Sequence, residues 1–218
     1  MAAVLALGGT SYASADLIDF EDTNAGLIVP NVTSEGYFFS PAVGEPFNGL
    51  VVLFDGQLCG PVCAANGTQA LAVGGVNSNP TTVHPVTMTQ LAGGTFFLSG
   101  LDYAEFVQGG NSANATVLQL VGNLSGGGTV SQNLALDGFN DGSGGGADFE
   151  VASLAAFWST SELTSLEFFG FDGQGVSRGF QLDNVSVEAG SVPEPATFFL
   201  LGGGLAAAGL RRYRRRHA

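Results

Sequence analysis

An all-β fold, a two-sheet β-sandwich, is what this chain of 218 residues predicts, and three observations predict it. Apolar and polar residues alternate with period two, and no amphipathic helical period is sustained over a usable length. Short apolar runs recur between turns rich in Gly, Asn, Ser and Pro; the 34 Gly and 8 Pro amount to about a fifth of the chain, below the roughly 25–30% that marks low-complexity disorder. Finally, 45% apolar residues with 17 Phe supply the core of one large domain.

The elements follow in order. Ile18 and Phe20 alternate with Leu17, Asp19 and Glu21, which predicts a first strand. Further short strands are predicted over residues 50–54, 86–91, 95–98 and 117–121. Val130, Gln132, Leu134 and Leu136 alternate with Ser131, Asn133, Ala135 and Asp137. Residues 151–164 offer at most a helical turn, and strands resume over 166–171 and 180–187. In the last of these, Phe180 and Leu182 share a face, whereas Val185 and Val187 have the opposite parity. The alternation slips at Asp183 and Asn184, which predicts a bulge there. Many short strands in a chain without a fixed-period repeat or an internal linker predict one sandwich over residues 16–191.

Charge is distributed unevenly. The net charge is −13, and there is no lysine. Residues 16–191 carry eighteen acidic side chains and one basic one, Arg178, a net charge of −17. Such a body excludes nucleic acid as a partner, because phosphate neutralisation needs Lys and Arg. Cys59 and Cys63, in LCGPVC, have three residues between them rather than the two of thioredoxin-type sites, and no second pair completes a zinc site. In an exported protein they are expected to close a small disulfide ring. His84 is the body's single histidine, set among Thr and Pro as a loop residue. The segment 137–150, DGFNDGSGGGADFE, is oxygen-rich, but its spacing after Asp137 is one residue too long for a calcium loop of the D-x-[DN]-x-[DN]-G type. It reads as a surface loop between two strands.

The two ends carry targeting signals. Residues 1–15 hold an apolar stretch from Ala2 to Leu7, then Ala13-Ser14-Ala15 before Asp16, the small-x-small pattern of signal-peptide cleavage between Ala15 and Asp16. A basic n-region is missing, so this reads as the tail of a longer signal peptide. At the other end, 192–218 combine three parts. Val192-Pro193-Glu194-Pro195 holds a carboxylate between two prolines in extended backbone. Fifteen uncharged residues, 196–210, predict a short hydrophobic helix of about 22 Å at ~1.5 Å per residue; it spans a bilayer if arginines snorkel and the bilayer thins. Arg211, Arg212, Arg214, Arg215 and Arg216 then form a basic cluster that stays cytoplasmic and turns the body outward.

This tripartite end resembles the PEP-CTERM sorting signal of Gram-negative bacteria, departing from it only at His217 and Ala218. The resemblance implies transient residence in the inner membrane, recognition of Pro193, Glu194 and Pro195 by exosortase, and release or re-anchoring of the body at the cell surface. Less specifically, Ile18-Asp19-Phe20-Glu21, the Gly126-Gly127-Gly128-Thr129-Val130 turn and the closing Phe180–Val187 run resemble lectin-like jelly-roll domains and carbohydrate-binding modules. That resemblance implies neighbouring first and last strands and a structural calcium ion (Ca2+) on Glu21 and Asp183, the alternative being a solvent-facing Asp-Asn at an irregular edge.

Two function classes follow. The first is a non-catalytic cell-surface or extracellular-matrix protein that binds exopolysaccharide, with Trp158, Tyr37, Tyr103 and Phe157 as the aromatic platforms, unless they are core. The second is a secreted glycoside hydrolase or lyase, which needs two carboxylates roughly 5–10 Å apart. Asp19 with Glu21 and Asp148 with Glu150 are the candidate pairs at i, i+2. In so acidic a chain such pairs arise by chance, no Ser-His-Asp set can be completed around His84, and the non-catalytic class is expected.

Overall fold

The computed structural model describes residues 15–26, 28–41, 50–53, 63–74, 85–106, 115–138 and 147–190. Period-two alternation is realised directly: the strand Val117–Leu124 buries Leu118, Leu120 and Gly122 while Gln119, Val121 and Asn123 face the other way. Thirteen strands form among the described residues. They are β1 (Ala15–Ile18), β2 (Ile28–Val29), β3 (Val32–Ser34), β4 (Tyr37–Pro41), β5 (Leu50–Leu53), β6 (Ala70–Val73), β7 (Val86–Gln90), β8 (Phe96–Glu105), β9 (Val117–Leu124), β10 (Thr129–Ala135), β11 (Glu150–Val151), β12 (Leu163–Phe171) and β13 (Phe180–Ala189).

All pairings are antiparallel and build two layers. One runs β3-β4-β7-β12-β9-β10; the other runs β2-β5-β6-β13-β8, with β11 on β8 and β1 on β13. The layers face each other across one core, where the Tyr37 ring meets Phe96 edge-on at 5.7 Å and Phe20 meets Phe39 at 5.3 Å. The all-β class is thus as the sequence predicts, with one refinement. The layers are not separate sheets: the pair Leu163 and Phe96 joins β12 to β8 at a corner, making one continuous ladder.

The expected slip in β13 is present. Asn184 takes φ +46, and the register against β8 shifts between Asp183 and Ser186. The neighbour on the other edge changes at the same place, from β6 at Phe180–Leu182 to β1 at Val185–Glu188. First and last strands are therefore partners. The bulge lets Phe180, Leu182, Val185 and Val187 all enter the core despite their opposite parities.

Two elements escape a reading of pattern alone. The β3–β4 hairpin turns on Glu35 and Gly36, both at positive φ (47° and 81°). This geometry matches strand twist, yet Glu-Gly lacks the usual Asn-Gly or Asp-Gly signature. β6 (ALAV) is buried on both faces and shows no alternation. The 3-10 turn Ala156–Ser159, within the segment expected to hold a helical turn, inserts Trp158 into the core.

Tyr37 is 1% exposed, and its hydroxyl has no hydrogen-bond partner among the described residues. Burial, with a smaller contribution from Asp16, pushes its pKa up to about 12. Removing an unsatisfied buried hydroxyl relieves a desolvation cost. Tyr37→Phe is therefore expected to leave stability unchanged or raise it by up to about 1 kcal/mol. Urea unfolding measures this; a loss above that size would reveal a partner for the hydroxyl.

Candidate functional site

The predicted aromatic platforms are core. Trp158 is 0% exposed, Tyr37 1% and Tyr103 6%, so none offers a ring face to a ligand, and the expectation that they are partly exposed is corrected. Burial of about 150–250 Å² of ring outweighs one hydroxyl or indole N–H, above all where that group is satisfied. Trp158 Nε1 donates to Gln132 Oε1 at 2.7 Å, and the Tyr103 hydroxyl donates to the Ala135 carbonyl at 2.8 Å. Phe157 is half-buried and packs against Trp158.

The aromatic residues that do reach the outside are phenylalanines. β12 reads LTSLEFFGF; with Leu166 and Phe168 in the core, Glu167, Phe169 and Phe171 fall on the outer face, half-buried. Phe169 and Phe171 lie with ring centroids 5.8 Å apart. Phe38 on β4 has the same outward parity. Rows of polar side chains cross this face. Glu167 lies opposite Thr87 of β7 and Val121 of β9, and these lie opposite Ser40 of β4 and Ser131 of β10. Phe169 lies opposite Gln119, which lies opposite Asn133. The amides are linked: Gln119 Nε2 donates to Asn133 Oδ1 at 3.0 Å, and Asn123 Nδ2 donates to Ser165 Oγ at 2.9 Å. Five strands at ~4.8 Å spacing make the face about 19 Å across. The parity that finds Phe169 and Phe171 was present in the sequence.

Glu21 and Asp183, the expected calcium pair, are brought onto one short segment. The Glu21 carboxylate accepts from the Gln69 backbone N–H (2.7 Å) and from Gln69 Nε2 (3.1 Å). Asp183 is fully buried. Its Oδ2 accepts from Asn66 Nδ2 and Thr68 Oγ1, both at 2.7 Å, and its Oδ1 from the Asn184 N–H at 2.7 Å. Burial raises the Asp183 pKa, and these donors pull it back. Beside it, Gln181 Oε1 accepts from the Ala64 N–H at 2.9 Å. Gln181 and Asp183 thus clamp the segment from Ala64 to Thr68 over the outside of β13. Every oxygen of the pair is engaged by N–H or O–H donors; the residues form a hydrogen-bonded clamp and do not present the open oxygen set a calcium ion takes.

A second carboxylate cluster was not anticipated. Glu105 ends β8, Asp137 follows β10 and Glu150 opens β11; one carboxylate oxygen from each lies within 4.8 Å of the others. Glu105 is fully buried, and its Oε1 accepts from the Gly138 N–H at 2.8 Å. Glu150 Oε1 accepts from the Asp137 N–H at 3.3 Å. Burial first, then the hydrogen bond to Asp137 and the charge of Glu105, push the Glu150 pKa up to about 8. Tyr103, beside Glu150 across β8 and β11, is raised to about 12 by its burial and by the same three carboxylates. Like charges this close do not all ionise without a compensating proton or cation. The pairing of β11 with β8 is what brings these residues together, and no local pattern announces it.

Other expected features lie as follows. Asp19 and Glu21 do not share a strand face: β1 ends at Ile18, Phe20 turns at φ +61, and Asp19 Oδ1 accepts from the Glu21 N–H at 3.1 Å. Asp148 is exposed, two residues from Glu150. Ala15 is the first residue of β1, opposite Glu188, and Asp16 lies opposite Val187. Cys63 is buried, while Cys59 and His84 lie outside the described residues. So do residues 1–14 and the whole C-terminal signal, including Pro193, Glu194, Pro195, the apolar helix and Arg211 to Arg216. Among the described residues no helix is long and apolar enough to cross a membrane.

No curated protein matches this sequence. Among solved structures, 84% of the chain aligns with 28% of the arabinose-bound MgGH51 α-L-arabinofuranosidase, at 13% identity and TM-score 0.44. An exo-β-agarase aligns over 85% of this chain and 26% of its own, at 10% identity and TM-score 0.40. The family 11 carbohydrate-binding module of the cellulase Lic26A-Cel5E of Clostridium thermocellum aligns over 84% and 99%, at 11% identity and TM-score 0.32. The chain spans little more than a quarter of the first two, and all three TM-scores lie below 0.5. The C-terminus is different: residues 191–216 match the PEP-CTERM protein-sorting motif, and the chain therefore carries the signal of proteins exported and sorted by exosortase to the cell surface or the extracellular space.

Proposed function

We propose that this chain is a non-catalytic protein of the bacterial cell surface or extracellular matrix that binds exopolysaccharide on the outer face of β4, β7, β12, β9 and β10. The observation that carries the proposal is that face, where the linked amides of Gln119 and Asn133 lie in register with the outward ring of Phe169 beside Phe171, and the Asn123–Ser165 pair lies further along the same strands. Sugar rings present apolar C–H faces and equatorial hydroxyls, and such a surface complements both, in the way apolar walls with a few placed polar groups hold small ligands. The sorting signal supplies the location. Exosortase and, before cleavage, the inner membrane of a Gram-negative cell are the other partners in this reading.

The competing reading, a glycoside hydrolase or lyase, would place its acids at Glu105, Asp137 and Glu150, whose carboxylate oxygens lie within 4.8 Å of one another. Against it, Glu105 is completely buried and Glu150 Oε2 is shielded from solvent, so a scissile bond cannot enter between them. Nothing in the proposal runs through calcium, given the engaged oxygens of Glu21 and Asp183. The Cys59–Cys63 ring belongs to the proposal, and an exported protein with the mass of the fully reduced chain, rather than two hydrogens lighter, would contradict it.

Pull-down of the exported protein on immobilised polysaccharides tests the binding. Phe169→Ala combined with Phe171→Ala is expected to weaken retention by about tenfold or more, as loss of a central aromatic anchor does. Folding is checked by the emission of Trp158, the single tryptophan. Equal retention of variant and parent, with native emission, would remove this face from the proposal. Mass spectrometry of surface material tests the processing: loss of the Arg211–Arg216 cluster is expected, and a form intact to Ala218 would overturn it.

A further inference from the structure

The charge on this face selects among polysaccharides, an inference that rests on the binding reading above. Glu167, in the third of the five strands, is the one ionisable side chain on the outer face among the described residues. It is half-buried, and among the described residues its Oε1 meets only the long 3.5 Å approach of Asn123 Nδ2. Around it stand the hydroxyls of Thr87 and Ser40, in register on β7 and β4. None of these neutralises a carboxylate. The single cation of the body is occupied elsewhere: Arg178 binds Asp172 through NH2 and Nε, both at 2.9 Å.

A uronate or sulfate polymer laid on this face would bring its charges against Glu167 with no cation to receive them, inside the field of a body at −17. A polymer bearing free amino groups meets the opposite situation. An ammonium seated among Thr87, Ser40 and Asn123 would give Glu167 a charge-assisted partner, and the field would hasten its approach. We propose that the polysaccharide recognised here is an amino-sugar polymer with unacylated amines, and that Glu167 is the residue that reads the ammonium.

The test compares retention of the exported protein on chitosan, on fully N-acetylated chitin of matched length and on alginate. Three proteins are used: the parent, Glu167→Gln, and Glu188→Gln as a control for general charge, since Glu188 is exposed on β13 in the other layer. Parent protein is expected to bind chitosan at least about tenfold more tightly than chitin and not to bind alginate. Glu167→Gln should lose that preference, and Glu188→Gln should keep it. Raising pH or salt should erode the parent's preference as the amines deprotonate or are screened. Equal binding of chitosan and chitin by the parent, or an unchanged preference in Glu167→Gln, overturns the amine inference and leaves polysaccharide binding standing. Binding to none of the polymers overturns the binding reading itself.

Discussion

Replacing Trp158 with alanine is expected to cost about 3–5 kcal/mol of stability, the usual cost of deleting a fully buried large aromatic side chain. The indole is 0% exposed and lies under Gly122: a Cβ built there would stand 2.8 Å from Cζ3 of Trp158 and 2.7 Å from Cδ2 of Leu163. That contact is why β9 carries a glycine at an inward position. Deleting the ring would leave a cavity and also strip a donor from Gln132, whose amide ties β10 to residues 153–158. Its Oε1 accepts from Trp158 Nε1 (2.7 Å) and from the Ala155 N–H (2.9 Å), and its Nε2 donates to the Ser153 carbonyl at 2.8 Å. Trp158→Phe keeps most of the volume and loses that hydrogen bond, so a smaller cost of about 1–2 kcal/mol is expected. Urea unfolding of both variants measures the difference. A Trp158→Ala cost under 1 kcal/mol would show that the core closes over the gap.

The second large effect is on pH. Glu150 has a folded-state pKa near 8 against an ordinary value of 4.5, raised first by burial and then by Asp137 and Glu105. Between those two values the folded protein holds a proton that the unfolded chain has released. Stability therefore falls as pH rises through this window and levels off above about pH 8. Glu150→Gln, neutral at every pH, is expected to flatten the slope between pH 5 and 8. At pH 8 it should exceed the parent by roughly 1–2 kcal/mol, after discounting the shift for the group's partial exposure. Asp137, Glu105 and Tyr103 face the same position, so Asp137→Asn should act in the same direction. Denaturant midpoints at half-unit pH steps decide it. A parent whose stability rises from pH 6 to 8 would show that these carboxylates are held ionised.

The strand pattern was largely legible because burying one face of a strand enforces period two. Residues 86–91, 117–121, 166–171 and 180–187 became β7, β9, β12 and β13, and the parity slip at Asp183 and Asn184 became the bulge. The Glu35-Gly36 hairpin was missed because its turn lacks the customary residues, and β6 because a strand buried on both faces has no alternation to detect. The candidate site was half legible. Parity already placed Phe169 and Phe171 outward, but residue type drew attention to Trp158, Tyr37 and Tyr103, whose rings the core needed. Glu21 and Asp183 each bond residues 66–69, donors that lie more than a hundred positions away from Asp183 and that no local pattern announces.

By itself the sequence determined the address and the class. The PEP-CTERM signal is a contiguous stretch recognised in extended form, and period-two alternation is local, so neither depends on what folds against what. Tertiary structure decided which side chains meet. The pairing of β11 with β8 gathered Glu105, Asp137 and Glu150 from positions 105, 137 and 150, and the register of β4, β7, β12, β9 and β10 set Glu167 among hydroxyls and amides beside two outward rings. Burial and proximity are properties of the closed ladder. They shift a pKa or neutralise a charge only once distant residues are brought within a few ångströms.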